Sequence, residues 1–137
     1  MELLVPFLAA VWLALCAVQD WRRREVSNWI TLPPLGLGLL LRLSGFGGGS
    51  PVLLLVAAGA LLLGWRAGWL GGADLKASLA LACFDLRLLG WAWLGLVAWY
   101  LLLHTVFRRA DLRRLPGFVG FTLGMVLCVL WEASCGV

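Results

Sequence analysis

Two aspartates in this sequence lie at the ends of apolar stretches. A charged carboxylate at such a position is energetically unfavourable, so its presence indicates a function or a specific partner. Asp20 follows the first apolar stretch and Asp74 precedes the fourth. When two carboxyl groups are brought within a few ångströms, they cannot both ionise easily, and the pair shares one proton near neutral pH. The ionised member can then take a proton from water while the protonated member polarises an amide carbonyl. The two residues therefore predict peptide hydrolysis by an aspartate pair, with no metal or other cofactor.

Simpler roles are open to each aspartate. Asp20 precedes the basic run Arg22–Arg24, so it could be an ion-pair partner at the membrane interface. Asp74 stands just before a helical run and could be its N-cap.

The residues beside the two aspartates favour the catalytic pair. Asn28 follows the basic run and is well placed to cap the second helix. Gly71 and Gly72 precede Asp74, and glycines let a backbone pass close by. Lys76 adds a cation beside the second aspartate, which could position a substrate or neutralise local charge.

The elements that would hold these residues are strongly apolar. Of the 137 residues, 63% are hydrophobic and 13% are charged, and the mean hydropathy is +0.97. Average soluble domains are roughly 45–50% apolar and about 25% charged. The composition therefore argues against a soluble enzyme, a disordered chain and a nucleic-acid-binding protein. The net charge of +4 comes from short basic clusters between apolar runs, which is typical of membrane proteins.

Six apolar stretches predict six helices, because a backbone in lipid must satisfy its own hydrogen bonds. The stretches are Leu3–Val18, Trp29–Leu43, Pro51–Trp65, Leu75–Phe84, Leu88–Phe107 and Phe118–Trp131. Several are shorter than the roughly 20 residues that span a bilayer, so they must borrow flanking residues. We predict an all-α polytopic membrane protein, a bundle of six transmembrane helices in a single domain over residues 1–137.

The basic residues predict the orientation in the cell (inner or cytoplasmic) membrane. Loops one, three and five carry nine of the eleven Lys and Arg residues: Arg22, Arg23, Arg24, Arg66, Lys76, Arg108, Arg109, Arg113 and Arg114. The positive-inside rule then places these loops in the cytoplasm and both termini outside. Two crossings separate Asp20 from Asp74, so both fall on the cytoplasmic side. The acidic start Met1-Glu2 favours a retained first helix over a cleaved signal peptide.

The four cysteines do not predict a metal or disulfide site. Cys16, Cys83, Cys128 and Cys135 form no CxxC pair, and three of them lie within apolar runs.

Together the two aspartate segments resemble those of the type IV prepilin peptidases, membrane aspartic proteases of the Gly-x-Gly-Asp type that include the archaeal preflagellin peptidases. In that family an Asp ends the first helix and is followed by basic residues and an Asn, which Asp20, Arg22–Arg24 and Asn28 match. A second motif has a glycine-rich turn, Asp, one residue and Lys; its matches here are Gly71, Gly72, Asp74 and Lys76. A weaker likeness runs from Leu115-Pro116-Gly117-Phe118 to Gly124. The resemblance covers about residues 3–131.

Two features depart from the family pattern. Ala73 replaces the glycine directly before the second Asp, as it does in some archaeal-type members. The methyltransferase segment with paired CxxC motifs, found in larger bacterial members, has no counterpart here. The chain therefore resembles the short, peptidase-only form, and we do not expect it to methylate its product.

The resemblance implies an endopeptidase that removes the leader peptide of type IV prepilin-like or archaellin-like precursors at the cytoplasmic membrane face. It implies Asp20 and Asp74 as the catalytic pair, with Asn28, Gly71, Gly72 and Lys76 supporting the two motifs. The expected partners are precursor peptides and the lipid bilayer, with no nucleic acid. Two alternatives stay open: a small proton- or cation-coupled transporter or assembly scaffold, in which the aspartates bind ions, and an inactive family member.

Overall fold

The computed structural model describes residues 4–23, 25–45, 50–106 and 117–135, and these residues form six α-helices. The helices are α1 (Leu4–Arg23), α2 (Asn28–Leu43), α3 (Pro51–Arg66), α4 (Gly72–Phe84), α5 (Leu86–Val106) and α6 (Gly117–Cys135). Since no strand occurs in the described ranges, the prediction of an all-α protein is confirmed. Outside those ranges lie Arg24, Arg108, Arg109, Arg113, Arg114, Leu115 and Pro116 from the predicted basic loops and third motif.

Three of the six helices are long and apolar enough to cross a membrane. These are α1, α5 and α6, with 20, 21 and 19 residues. Helix α3 is apolar but has only 16 residues, and α4 has 13, or about 20 Å at 1.5 Å per residue. A bilayer core is about 30 Å thick, so α4 cannot cross it as a regular helix. The chain is a membrane protein, whereas the full set of six crossings stays a prediction.

Many large apolar side chains cover the outside of the helices, as expected of a protein whose solvent is lipid. On α3, exposed apolar side chains occur near both ends of the helix: Leu53, Leu55 and Leu63 are 58%, 72% and 69% exposed. Only Leu61 is buried among the residues of this helix.

The helices form two compact units. The first unit comprises residues 1–24 and 90–137, and in it α1 packs against α6. Helices α5 and α6 cross at glycines. The crossing is so close that a Cβ atom added at Gly124 would lie 2.0 Å from the Trp91 carbonyl oxygen. A Cβ atom added at Gly95 would lie 2.2 Å from the Gly124 nitrogen. Small residues at a crossing let two membrane helices approach closely, and here only glycine fits.

The second unit comprises residues 25–89, with α4 packed against both α2 and α3. Helix α4 is its most buried helix: Ala77, Ser78, Ala80, Leu81 and Ala82 are fully buried. Gly38 of α2 lies against α4, since a Cβ atom there would be 3.1 Å from the Cys83 Cβ atom. Lys76 near the start of α4 contacts Asn28 at the start of α2, and Gly38 meets Cys83 farther along both helices, so the two helices run parallel. The end of this unit that carries both helix starts also carries Asp74.

Candidate active site

Asp74 lies in the first turn of α4, with Gly71 as the N-cap residue. The helix begins with Gly72, and the Leu75 backbone N–H donates to the Gly71 carbonyl oxygen at 3.0 Å. The Asp74 side chain is half-buried. A negative charge in a first helical turn is stabilised by the N–H groups that have no partner within the helix. The local fold thus places a carboxylate where its ionised form is tolerated.

Gly71 gives the Asp74 carboxylate room to fold back over the helix start. A Cβ atom added at Gly71 would lie 3.0 Å from Asp74 Oδ2, closer than side-chain carbons normally pack. At Gly72 the nearest atom to an added Cβ would be Trp65 Nε1 at 4.0 Å, an ordinary contact. The two glycines therefore differ: a side chain at residue 71 meets the carboxylate, whereas residue 72 has space for one.

Lys76 and Asn28 lie together at this end of the second unit. The Lys76 Nζ donates a hydrogen bond to the Asn28 Oδ1 at 2.5 Å. The expectation that Asn28 caps the second helix is wrong: the N-cap is Ser27, whose side chain accepts a hydrogen bond from the Trp29 backbone N–H at 3.4 Å. As the first residue of α2, Asn28 is one position too late to cap it, so its amide is used for Lys76 instead.

Asp20 lies in the last turns of α1 and belongs to the first unit. Its half-buried carboxylate accepts a hydrogen bond from the backbone N–H of Phe118, the second residue of α6. The first N–H groups of a helix have no intrahelical partners and attract negative charge. The start of α6 therefore contacts the Asp20 carboxylate directly. The Pro116-Gly117 helix start is visible in the sequence, but its contact with Asp20 is not.

Within its own unit, Asp85 lies away from Asp74, and Glu132 lies away from Asp20. Asp85 stands at the opposite end of α4 from Asp74, where its Oδ1 accepts from the Arg87 N–H at 2.9 Å. Its Oδ2 forms an ion pair with the Arg87 Nε at 3.3 Å. Glu132 lies 14 residues beyond Phe118 on α6, which is about 21 Å along the axis.

No group of three or more His, Cys, Asp or Glu side chains that could hold a metal ion is present in the described ranges. Asp20 belongs to the first unit and Asp74 to the second, so the pairing of their carboxyl groups stays a prediction. What the fold does bring together is Asn28 with Lys76, Gly71 with Asp74, and Asp20 with the start of α6.

Comparison with known proteins gives one match. A sequence model of the type IV leader peptidase family matches residues 7–133. The resemblance predicted from the two aspartate motifs is therefore confirmed, and the matched region contains every residue of those motifs. No curated protein and no solved structure matches the chain.

Proposed function

Because the chain belongs to the type IV leader peptidase family, we propose that it is a membrane aspartic endopeptidase. Membership of this family makes the chain a protease of the leader-peptidase type. The proposal adds that Asp20 and Asp74 are the catalytic pair, and that residues 1–137 act as one domain with six crossings. Its substrates are type IV prepilin-like or archaellin-like precursors, which it cleaves at the cytoplasmic membrane face. Cleavage falls after a leader glycine, just ahead of the precursor's apolar helix.

The observation that carries this proposal is the family match over residues 7–133, which includes both aspartates together with their motif neighbours. The surroundings of each aspartate support it. Asp20 accepts a hydrogen bond from the start of α6, and Asp74 lies in the first turn of α4. In each case the carboxylate lies beside a helix start, whose N–H groups without intrahelical partners favour negative charge.

The mechanism uses the two carboxyl groups as one acid–base unit. The ionised member removes a proton from a water molecule, which attacks the scissile carbonyl carbon, while the protonated member donates a hydrogen bond to the carbonyl oxygen. When the tetrahedral intermediate collapses, the C–N bond breaks and the departing amine receives a proton from the pair. Since a coupled pair titrates as a unit, the acid and the base are not separate residues in the resting enzyme.

Asn28, Lys76 and the two glycines position this chemistry in the proposal. The hydrogen bond between Lys76 and Asn28 ties the start of α4 to the start of α2. That bond fixes the first turn of α4, which carries Asp74. Gly71 leaves space for the carboxylate, and Gly72 begins the helix.

A proton-coupled transporter or a scaffold is the other reading of two membrane aspartates. Carriers of that kind place their ion-binding acids near the middle of the bilayer, often where helices are broken. Here Asp20 is the fourth residue from the end of α1, and Asp74 is the third residue of α4. Positions near helix ends favour a protease that acts on a peptide at the membrane surface.

The test is a cleavage assay with the purified protein in liposomes. The substrate is a synthetic precursor with a basic leader that ends in glycine, followed by an apolar helix. We expect two products, whose masses identify cleavage directly after the leader glycine. A matched precursor with that glycine replaced by a bulky residue should resist cleavage. Cleavage at another bond, or no cleavage of any precursor of this type, would contradict the proposed function.

A further inference from the structure

All three tryptophans of the second unit lie at the end that also carries Asp74. Trp29 is in the first turn of α2, Trp65 is in the last turn of α3, and Trp69 follows that helix. The end of α3 meets the start of α4, because Trp65 Nε1 lies 4.0 Å from the position of a Cβ atom added at Gly72. Gly72 precedes Asp74 by two residues, so the tryptophans and the carboxylate share one end of this unit.

The turn after α3 fixes the backbone of Trp69, and it reverses at Gly68, whose φ of +77° suits glycine. The Gly68 N–H donates to the Trp65 carbonyl oxygen at 3.0 Å. The Trp69 N–H donates to the Gly64 carbonyl oxygen at 2.9 Å, which completes a Schellman motif. Leu70 folds back onto α3, since its Cδ1 lies 3.1 Å from the position of a Cβ atom added at Gly64. The Trp69 ring stays 85% exposed.

The exposed indole rings fit the boundary between hydrocarbon and lipid headgroups. Trp29 is 87% exposed and Trp65 is 50% exposed, so each ring presents a large surface outside the protein. An indole has an apolar ring and one N–H donor, and at that boundary the ring contacts acyl chains while the N–H reaches polar oxygens. Along α3 the exposed side chains of Leu62 and Leu63 precede Trp65. Trp65 therefore stands where the apolar outer surface of this helix ends.

The length of α3 makes the position of this end important. Its 16 residues span about 24 Å, less than the hydrocarbon core of about 30 Å. A regular helix of this length does not reach both surfaces of an undeformed bilayer, and interfacial anchors determine which of its ends stays at a surface. Residues 51–57, at the other end of α3, include no aromatic residue. The anchored end is therefore the end beside Asp74.

We propose that Trp29, Trp65 and Trp69 form a tryptophan anchor, which lies in the headgroup–acyl boundary of the lipid bilayer and holds Asp74 at a depth that water reaches. This inference deepens the proposed function and rests on it for its catalytic meaning. Peptide hydrolysis consumes one water molecule per bond, and a carboxylate that sank into hydrocarbon would lose both that water and its ionised form. The partner of the three rings is lipid rather than the precursor peptide.

Fluorescence quenching measures the depth of Trp69 without any cleavage. The emission of the wild type minus that of Trp69→Phe isolates the signal of Trp69 in liposomes. We expect lipids brominated near the headgroup to quench this signal several-fold more than lipids brominated at the chain end. Equal or stronger quenching by chain-end bromine would overturn the inference. No quenching by either lipid would also overturn it, and a change of the signal on adding precursor would then assign Trp69 to peptide binding.

Cleavage in bilayers of different thickness tests the consequence for Asp74. We expect the double variant Trp29→Ala, Trp69→Ala to cleave about tenfold more slowly in long-chain lipids and less than about twofold more slowly in detergent, because a micelle adapts to the protein. Replacing both tryptophans by tyrosine should retain most of the rate, since tyrosine also favours the interface. The matched control is Leu43→Ala, which changes an 85% exposed side chain at the opposite end of α2 and should keep the wild-type rate.

The remaining outcomes separate the anchor from other roles. An equal loss of rate in detergent and in bilayers would show that the rings contact the precursor, and the anchor would be wrong. Wild-type rates of the double variant at every thickness, or an equal loss in Leu43→Ala, would contradict the anchor as well. If quenching places Trp69 at the boundary but no precursor is cleaved, the anchor stands and the proposed function fails.

Discussion

Lys76 and Asn28 are 48 residues apart in the chain, yet the Lys76 Nζ donates a hydrogen bond to the Asn28 Oδ1. The bond joins the N-terminal ends of two parallel helices, α4 and α2. Asp74 lies two residues before Lys76, so anything that loosens this bond loosens the turn that carries the proposed catalytic carboxylate. The two motifs are therefore physically linked through their supporting residues.

Replacing the Lys76 ammonium should separate positioning from charge. We expect Lys76→Met to reduce the rate of precursor cleavage about tenfold, because the bond to Asn28 is lost and the first turn of α4 becomes less constrained. The measurement is kcat for a precursor peptide in liposomes. Arg66→Met is the matched control, since Arg66 is an exposed cation at the end of α3, in the same unit. Equal losses in the two variants would indicate a general effect of positive charge instead.

The two glycines before Asp74 should respond differently to alanine. A Cβ atom at residue 71 would lie 3.0 Å from Asp74 Oδ2, so Gly71→Ala must displace the carboxylate. We expect kcat to fall at least about tenfold, because small displacements of a catalytic group are costly. Gly72→Ala meets nothing closer than 4.0 Å and should keep near-normal activity. Similar activities of the two variants would show that the carboxylate does not need its present position.

The glycine crossing in the first unit predicts a stability effect. A Cβ atom at Gly124 would lie 2.0 Å from the Trp91 carbonyl oxygen, so Gly124→Ala must push α5 and α6 apart. We expect a loss of about 3 kcal/mol in the free energy of unfolding, or failure to fold. At Gly90 nothing lies within 4 Å, and Gly90→Ala should be neutral or slightly stabilising. Denaturation in detergent measures both, and a stable Gly124→Ala protein would rule out so close a crossing.

Chelators and thiol reagents should leave the activity unchanged. An aspartate pair needs no metal, and the described residues include no cluster of metal-binding side chains. Cys16, Cys83 and Cys128 are buried, whereas Cys135 is exposed at the end of α6. We expect cleavage rates within about twofold after treatment with EDTA or a thiol-alkylating reagent, since neither reaches the pair. Inhibition by EDTA that zinc reverses would overturn the aspartic mechanism.

The sequence predicts the helices well and their ends less well. The first stretch was expected over Leu3–Val18, but α1 continues to Arg23 and includes Asp20. The fourth was expected to begin at Leu75, but α4 begins at Gly72 and places Asp74 inside its first turn. Hydropathy changes where side chains leave the apolar region, whereas backbone hydrogen bonding continues as far as the chain can support it. Asp20 therefore lies near the end of α1 and Asp74 in the first turn of α4, at the helix ends where the sequence places them.

Contacts between distant residues could not be predicted in the same way. Residue types and spacing alone mark the segments around Asp20 and Asp74. Neither the bond from Lys76 to Asn28 nor the bond from the Phe118 N–H to Asp20 has a local signature, because each depends on how two helices pack.

The most direct measurement is precursor cleavage by Asp20→Asn and Asp74→Asn in liposomes, with membrane insertion and Tm checked for each. Both should lose about 10²–10⁴-fold in rate, because either change removes one member of the acid–base pair. Asp85→Asn is the control, since asparagine can still cap α5 and Asp85 lies at the far end of α4. It should cleave at the wild-type rate. Near-normal cleavage by either Asp20→Asn or Asp74→Asn would contradict the assignment of the two aspartates as the catalytic pair.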